Sequence, residues 1–105
     1  MTKVRINSGI CGFTATVTAE KVDKKKVRIT IESDCEMVQK LAAELPVLDM
    51  MSAFTAHLNN PVYRAASKHI RHVACPVPAG ILKALEAELG LSIPRDAGII
   101  FIKEE

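Results

Sequence analysis

The feature that most constrains the fold is an alternation of apolar and polar residues that occupies residues 2–33 and then stops. Val4 and Ile6 alternate with polar side chains, and the same pattern returns in residues 13–19 and 27–32. A two-residue period places one face of a strand on a core. The stretches between these segments, residues 8–12 and 23–25, are rich in turn formers. We therefore predict a three-stranded antiparallel meander.

After Ile31 the apolar spacing becomes that of helices. Ser33 and Glu36 have the spacing of a capping box, and Pro46 ends the first predicted helix. Further helices are predicted over residues 47–58, from Pro61 with Asn60 as its cap, and after Cys75, the last of them ending at Gly90 as a left-handed cap. The second of these four helices would turn the following side chains inward: Val47, Met50, Met51, Phe54 and Leu58.

The closing stretch, residues 98–103, is apolar on both faces and predicts a last strand covered by a helix or by a partner chain. The predicted order of three strands, four helices and one strand is an α+β fold. A length of 105 residues, with hydrophobic and charged fractions close to the globular average, fits one domain over residues 1–105.

Charge and hydropathy limit the partners and the cellular location that we expect for the protein. The net charge is only +2, and no basic tail is present, so we expect no nucleic-acid partner. We expect no membrane partner either, because no stretch approaches about 18 uninterrupted apolar residues and the start lacks an apolar leader core. We expect a cytoplasmic location. There, an odd number of cysteines indicates free thiols, metal ligands or catalytic sulfur, not disulfides.

The three cysteines occupy similar places, since each lies where a loop meets a predicted element. Cys11 lies in a glycine-containing hairpin loop, Cys35 starts one helix and Cys75 starts another. If these junctions share one end of the fold, three thiolates converge there, near the positive ends of two helices. Their spacing matches no local zinc-finger pair. The prediction of a three-cysteine metal or sulfur site therefore depends on the predicted fold.

This arrangement resembles the U-type iron-sulfur cluster scaffold family, which has the IscU and NifU N-terminal fold. The residues that carry the resemblance are Gly9 to Gly12, Asp34 with Cys35, and Ala74 to Pro76. It implies an IscU-like core in which Cys11, Cys35 and Cys75 bind zinc or a [2Fe-2S] cluster. It also implies that a cysteine desulfurase delivers the sulfur. Such a protein is a scaffold or carrier, so an enzymatic activity is not expected.

The chain differs from that family at two positions of the site. The aspartate that follows the first Cys-Gly in the family is Phe13 here, and Ala74 stands where the family often has histidine. The fourth ligand would then be Asp34, His72 or His69, or a water molecule would leave that position open.

A second resemblance concerns Cys75 alone. The sequence Cys-Pro-Val-Pro that opens the last predicted helix is similar to the Cys-Pro-x-Pro helix start of the TusA-type sulfur carriers. That resemblance implies a persulfide on Cys75, with the other two cysteines assisting.

Less specific interpretations also stay open. The cysteines can be ordinary core residues, and the chain can be an interaction domain that forms a homodimer through Ile99 to Ile102. A basic helical face can be a solvated surface or a docking surface, and its members are Arg64, Lys68, Arg71 and His72. No Walker A loop, GxGxxG loop or serine nucleophile elbow is present, which disfavours a dehydrogenase or a hydrolase.

Overall fold

The computed structural model describes residues 1–103, and it confirms the predicted meander and the α+β class. The strands are β1 (Thr2–Asn7), β2 (Thr14–Lys21), β3 (Lys26–Ser33) and β4 (Val47–Asp49). They form one sheet in the order β1-β2-β3-β4, with every neighbouring pair antiparallel. The period-two pattern explains the register, because it aligns inward residues such as Val4, Val17 and Ile31 across three strands.

Three α-helices pack on one face of this sheet: α1 (Glu36–Glu44), α2 (Pro61–His69) and α3 (Val77–Glu88). The core between the layers is aliphatic, and its fully buried larger side chains are Val17, Val27, Leu41, Val62, Val77, Ile81 and Leu85. The other sheet face carries polar side chains such as Arg5, Thr16 and Glu32, which are aligned across β1, β2 and β3. One covered and one solvated face is the usual arrangement for an antiparallel sheet.

Helix α3 lies along β1 and runs antiparallel to it. In the first turn of α3, a Cβ atom added to Gly80 would lie 2.5 Å from Ile6 Cγ1, so the backbone approaches β1 closely. At the other end, Glu88 accepts hydrogen bonds from the Thr2 hydroxyl and from the Lys21 backbone N–H, each at 2.8 Å. The start of α3 therefore lies at the end of the sheet where β1 finishes.

The predicted helix over residues 47–58 is wrong. Leu48 pairs with Val27 in the sheet and is buried, and two short 3₁₀ helices follow, Met50–Ala53 and His57–Asn59. Asp49 accepts a hydrogen bond from the Met51 N–H at 2.9 Å, which starts the first of these turns. Of the side chains predicted to point inward, Val47, Met51, Phe54 and Leu58 are exposed.

The same region is held together by a buried asparagine that also fulfils its predicted role as a helix cap. Asn60 Oδ1 accepts from the Val62 N–H at 3.0 Å, and Pro61 is the first residue of α2. Asn60 Nδ2 donates to the carbonyls of Ser52 and Thr55 at 2.7 and 3.1 Å. These side-chain hydrogen bonds stabilise carbonyls that a regular helix would have satisfied through its own backbone.

The predicted last strand is also wrong for the residues described. Residues 92–103 have no helix or strand, and their large apolar side chains are exposed: Ile99, Ile100, Phe101 and Ile102 are 82–93% accessible. We call residues 92–103 the C-terminal segment. Gly90 has a φ of 73°, the left-handed conformation predicted for it, and it separates this segment from α3. Within residues 1–103 no helix is long and apolar enough to cross a membrane.

Candidate functional site

The three cysteines lie on segments at the same end of the sheet, which we call the cysteine end. Three residues define it, namely the last of β1, the first of β2 and the last of β3: Asn7, Thr14 and Ser33. Cys11 lies in the loop between β1 and β2, and Cys35 lies between β3 and α1. Cys75 precedes α3, whose first turn packs against Ile6 near the end of β1. The fold thus brings together three segments that are far apart in sequence.

Cys11 is the exposed member of the set. Its loop turns through Gly9 and Gly12, with φ of 83° and 76°, values that a residue with a Cβ atom rarely adopts. The Gly12 N–H donates to the Gly9 carbonyl at 2.9 Å, and the Gly9 N–H donates to Asn7 Oδ1 at 3.0 Å. These short-range bonds fix the turn while leaving the thiol accessible.

Cys35 is the buried member, and it packs in the main core cluster. Its N–H donates to Ser33 Oγ at 3.2 Å, and its carbonyl accepts from the Gln39 N–H at 3.0 Å. Cys35 is therefore the cap residue of α1, and Glu36 is its first residue. The predicted capping box from Ser33 to Glu36 is wrong, because Ser33 is still the last residue of β3. The Ser33 hydroxyl also donates to the Thr14 carbonyl at 2.8 Å, so the same side chain links the backbone at Cys35 to β2.

Cys75 is half-buried and packs against the edge of the core. Its N–H donates to the His72 carbonyl at 3.0 Å, which closes a turn between α2 and α3. Pro76 is the cap residue of α3, and its carbonyl accepts from the Gly80 N–H at 3.1 Å. The thiol is thus held by a turn on one side and by the start of α3 on the other.

Cys75 also lines a cavity of about 290 Å³ between α2 and the start of α3. We call this cavity the Cys75 groove; its main lining residues are His57, Leu58, Tyr63, Arg64, Ile70, His72, Val73, Cys75 and Pro78. The rings of His57 and Tyr63 lie 5.1 Å apart at 54°. No Asp or Glu side chain lines the groove in the part of the chain that the structure describes.

The predicted ligand set of Cys11, Cys35 and Cys75 with Asp34 or His72 is not assembled in this conformation. Within residues 1–103, no group of three or more His, Cys, Asp and Glu side chains is placed so that it could hold a metal ion. Asp34 is exposed beside Cys35, and His72 is exposed on the Cys75 groove. Metal binding therefore stays a prediction, and it requires a rearrangement of these side chains or of the Cys11 loop.

His69, another predicted candidate for the fourth ligand, is paired with a side chain outside the predicted site. Its Nε2 lies 2.7 Å from Glu44 Oε1, and Lys68 Nζ lies 3.6 Å from Glu44 Oε2. The hydrogen bond with His69, assisted by the Lys68 charge, holds the pKa of Glu44 below its usual value. His69 and Lys68 thus join α2 to α1 in this structure.

The basic face predicted on α2 is divided by this pairing. Lys68 belongs to the contact with Glu44, whereas Arg64 and His72 line the Cys75 groove. No partner for His57 and no role for Tyr63 is predicted from the sequence. The spacing of Tyr63, Ser67 and Ile70, at i, i+4 and i+7 along α2 and its C-cap, could have indicated the groove, since residues at this spacing share one helical face.

Comparison with known proteins identifies a family but no function. The profile of a family of unknown function, DUF6951, matches residues 2–101, so the chain belongs to this family. No curated protein and no solved structure matches the chain.

Proposed function

We propose that this member of a family of unknown function is a cysteine-based carrier, which receives zinc, iron or a nascent [2Fe-2S] cluster as cargo on Cys11, Cys35 and Cys75. The observation that carries the proposal is the position of all three cysteine-bearing segments at the cysteine end of the sheet. Thiolate is a ligand that these soft or borderline metals prefer, and two of the thiols lie beside helix starts.

The different exposures of the three thiols fit a carrier of transient cargo. Cys11 is exposed on a glycine-bearing turn, whereas Cys35 and Cys75 are held close to the core. In the proposed mechanism Cys35 and Cys75 provide a fixed base, and the Cys11 loop closes over the metal. Asp34 or His72 would supply the fourth ligand to the metal, or the fourth position would stay open for a ligand from solution or from a partner. A cytoplasmic location is part of the proposal, since all three cysteines are free thiols.

The likeness to U-type scaffolds is part of the same proposal. The order of elements agrees with it: a meander with Cys11 in its first loop, then Cys35 before α1, then Cys75 before α3. A cysteine desulfurase would be the sulfur donor for cluster assembly.

Anaerobic loading of the full chain with Zn²⁺, or with Fe²⁺ and sulfide, tests this proposal. The wild type should bind one zinc ion per chain, and replacement of any one cysteine by serine should weaken zinc binding by roughly a hundred-fold or more. Asp34→Asn should weaken it if Asp34 is the fourth ligand, with Asp96→Asn in the C-terminal segment as the matched control. Zinc binding that survives all three serine variants would contradict the proposal.

A second function is favoured by the Cys75 groove, because Cys75 is the one cysteine that lines it. In this alternative Cys75 is a TusA-like sulfur carrier. A donor persulfide passes its outer sulfur to the Cys75 thiolate, which becomes a persulfide while the donor is left as a thiolate. Mass spectrometry after incubation with a persulfide donor separates the two functions. The alternative requires that Cys75→Ser alone abolishes sulfur loading and that Cys11→Ser and Cys35→Ser do not.

A further inference from the structure

We infer that the Cys75 groove is a docking site for an acidic segment of a partner protein, one that also presents apolar side chains. The inference rests on the proposed function, since it identifies the chemistry of the partner that delivers or collects cargo at Cys75. It concerns the groove alone, and so it can fail while metal loading of the cysteine end succeeds.

The apolar lining is the first argument. Leu58 and Val73 are more than nine-tenths exposed at the groove, beside half-buried Tyr63 and Ile70. Large apolar side chains grouped at a concave surface are typical of a site that another molecule covers. The cavity of about 290 Å³ has room for a few side chains and not for a broad protein face. An extended segment or a loop therefore fits it better than a flat interface.

Charge complementarity is the second argument. The ionisable side chains on the lining, apart from the thiol and Tyr63, are His57, Arg64 and His72, which carry positive charge or none. Arg64 has no salt bridge with any residue from 1 to 103, whereas Lys68 on the same helix is balanced by Glu44. An uncompensated cation at an apolar groove favours a partner that supplies carboxylates and disfavours a basic one.

A nucleic acid is the other anionic partner, and the observations favour it less. Binding to a phosphate backbone requires several cations along a track, and the groove offers one arginine and two histidines. Nucleic acids also bind through aromatic side chains that stack on the bases, and Tyr63 is the one Phe, Tyr or Trp side chain on the lining within residues 1–103. The aliphatic side chains of the groove would make no comparable contact with a base.

Protection of Cys75 from alkylation tests the inference on the full chain. Each cysteine falls on its own tryptic peptide, spanning residues 6–21, 29–40 and 72–83, so mass spectrometry follows the three alkylation rates separately. The probes are two synthetic peptides with the same leucine and phenylalanine residues, one carrying glutamates and the other lysines, and a single-stranded oligonucleotide. Exposed Cys11 is the internal reference.

The glutamate peptide, at about ten times its Kd, should slow alkylation of Cys75 about ten-fold, because only the Cys75 thiols of chains with an empty groove react. The alkylation rate of Cys11 should stay unchanged. Arg64→Glu and Arg64→Gln should weaken this protection, whereas Lys40→Glu, an exposed charge reversal on α1, should not. Circular dichroism confirms that the variants stay folded. The inference is overturned if the glutamate peptide gives no protection, if the lysine peptide or the oligonucleotide protects equally, or if Lys40→Glu acts like Arg64→Glu.

Discussion

The close approach of α3 to β1 at Gly80 provides a prediction whose size follows from the structure. In Gly80→Ala, the new Cβ atom would lie 2.5 Å from Ile6 Cγ1 and closer still to Ile6 Cδ1. Crowding of this kind costs about 1–3 kcal/mol, whereas alanine in a helix gains about 1 kcal/mol over glycine. We therefore expect a net loss of about 0–2 kcal/mol in the free energy of unfolding.

The test is a double-mutant cycle with Ile6→Ala, which removes both Cγ1 and Cδ1, the two atoms that the new methyl group would press on. Ile6→Ala alone should cost about 2–5 kcal/mol, and the double variant should be more stable than the two single losses imply, by about 1 kcal/mol. Urea unfolding followed by circular dichroism measures each step. Ala79→Gly, at an exposed position of the same helix turn, measures the helix-propensity contribution alone. Additivity within about 0.5 kcal/mol would refute the reasoning, because it would show that residue 80 does not press on Ile6.

Two further predictions concern the ends of the fold. The Lys21 backbone N–H, with Thr2 and the N-terminal ammonium group, holds the pKa of Glu88 below its usual value. The ionised Glu88 carboxylate therefore stabilises the fold at neutral pH, and this contribution is lost as the pH falls through the folded-state pKa. Glu88→Gln should therefore lower the free energy of unfolding at pH 7 by about 1–3 kcal/mol and make it depend less on pH below neutrality. Urea unfolding between pH 3 and pH 7 measures both effects, and an unchanged pH dependence in the variant would contradict this prediction. We also propose that the exposed side chains of Ile99 to Ile102 form a homodimer contact. Each is worth about 1.5–3 kcal/mol if fully buried, so Ile100→Lys should dissociate the dimer in sedimentation velocity, and a monomeric wild type would contradict the proposal.

Patterns carried by neighbouring residues were predicted well from the sequence. The meander over residues 2–33 follows from alternation within each strand and from turn residues between strands. The cap of Asn60 with Pro61 and the left-handed Gly90 are equally local. Each depends on interactions within a few residues, so no knowledge of the remaining fold was needed.

Predictions failed where distant contacts decide the structure. The spacing in residues 47–58 suits a helix, but Leu48 pairs with Val27 and Asn60 Nδ2 binds the carbonyls of Ser52 and Thr55. The composition of residues 98–103 suits a strand, but strand formation depends on pairing with a neighbour, and within residues 1–103 this stretch pairs with neither edge strand of the sheet, β1 or β4.

For the candidate site, the sequence predicts the elements beside each cysteine but not how the side chains meet. The elements beside Cys11, Cys35 and Cys75 follow from local signals, and their order places them at one end of the sheet. Whether their sulfur atoms meet depends on the conformation of the Cys11 loop, which the sequence does not specify. The Cys75 groove was missed because His57 and Tyr63 become neighbours only through the turn at Asn60.

The packing of β1 against α3 also bears on how the chain folds during synthesis. At about 5–20 residues per second, β1 leaves the ribosome seconds before α3 does. Until α3 arrives, Ile6 and Val17 have no helix above them, and the end of β1 lacks its cover. Contacts between such distant segments form late, because a long loop must close first. The nascent sheet therefore exposes the Ile6 side of β1 for seconds before α3 covers it.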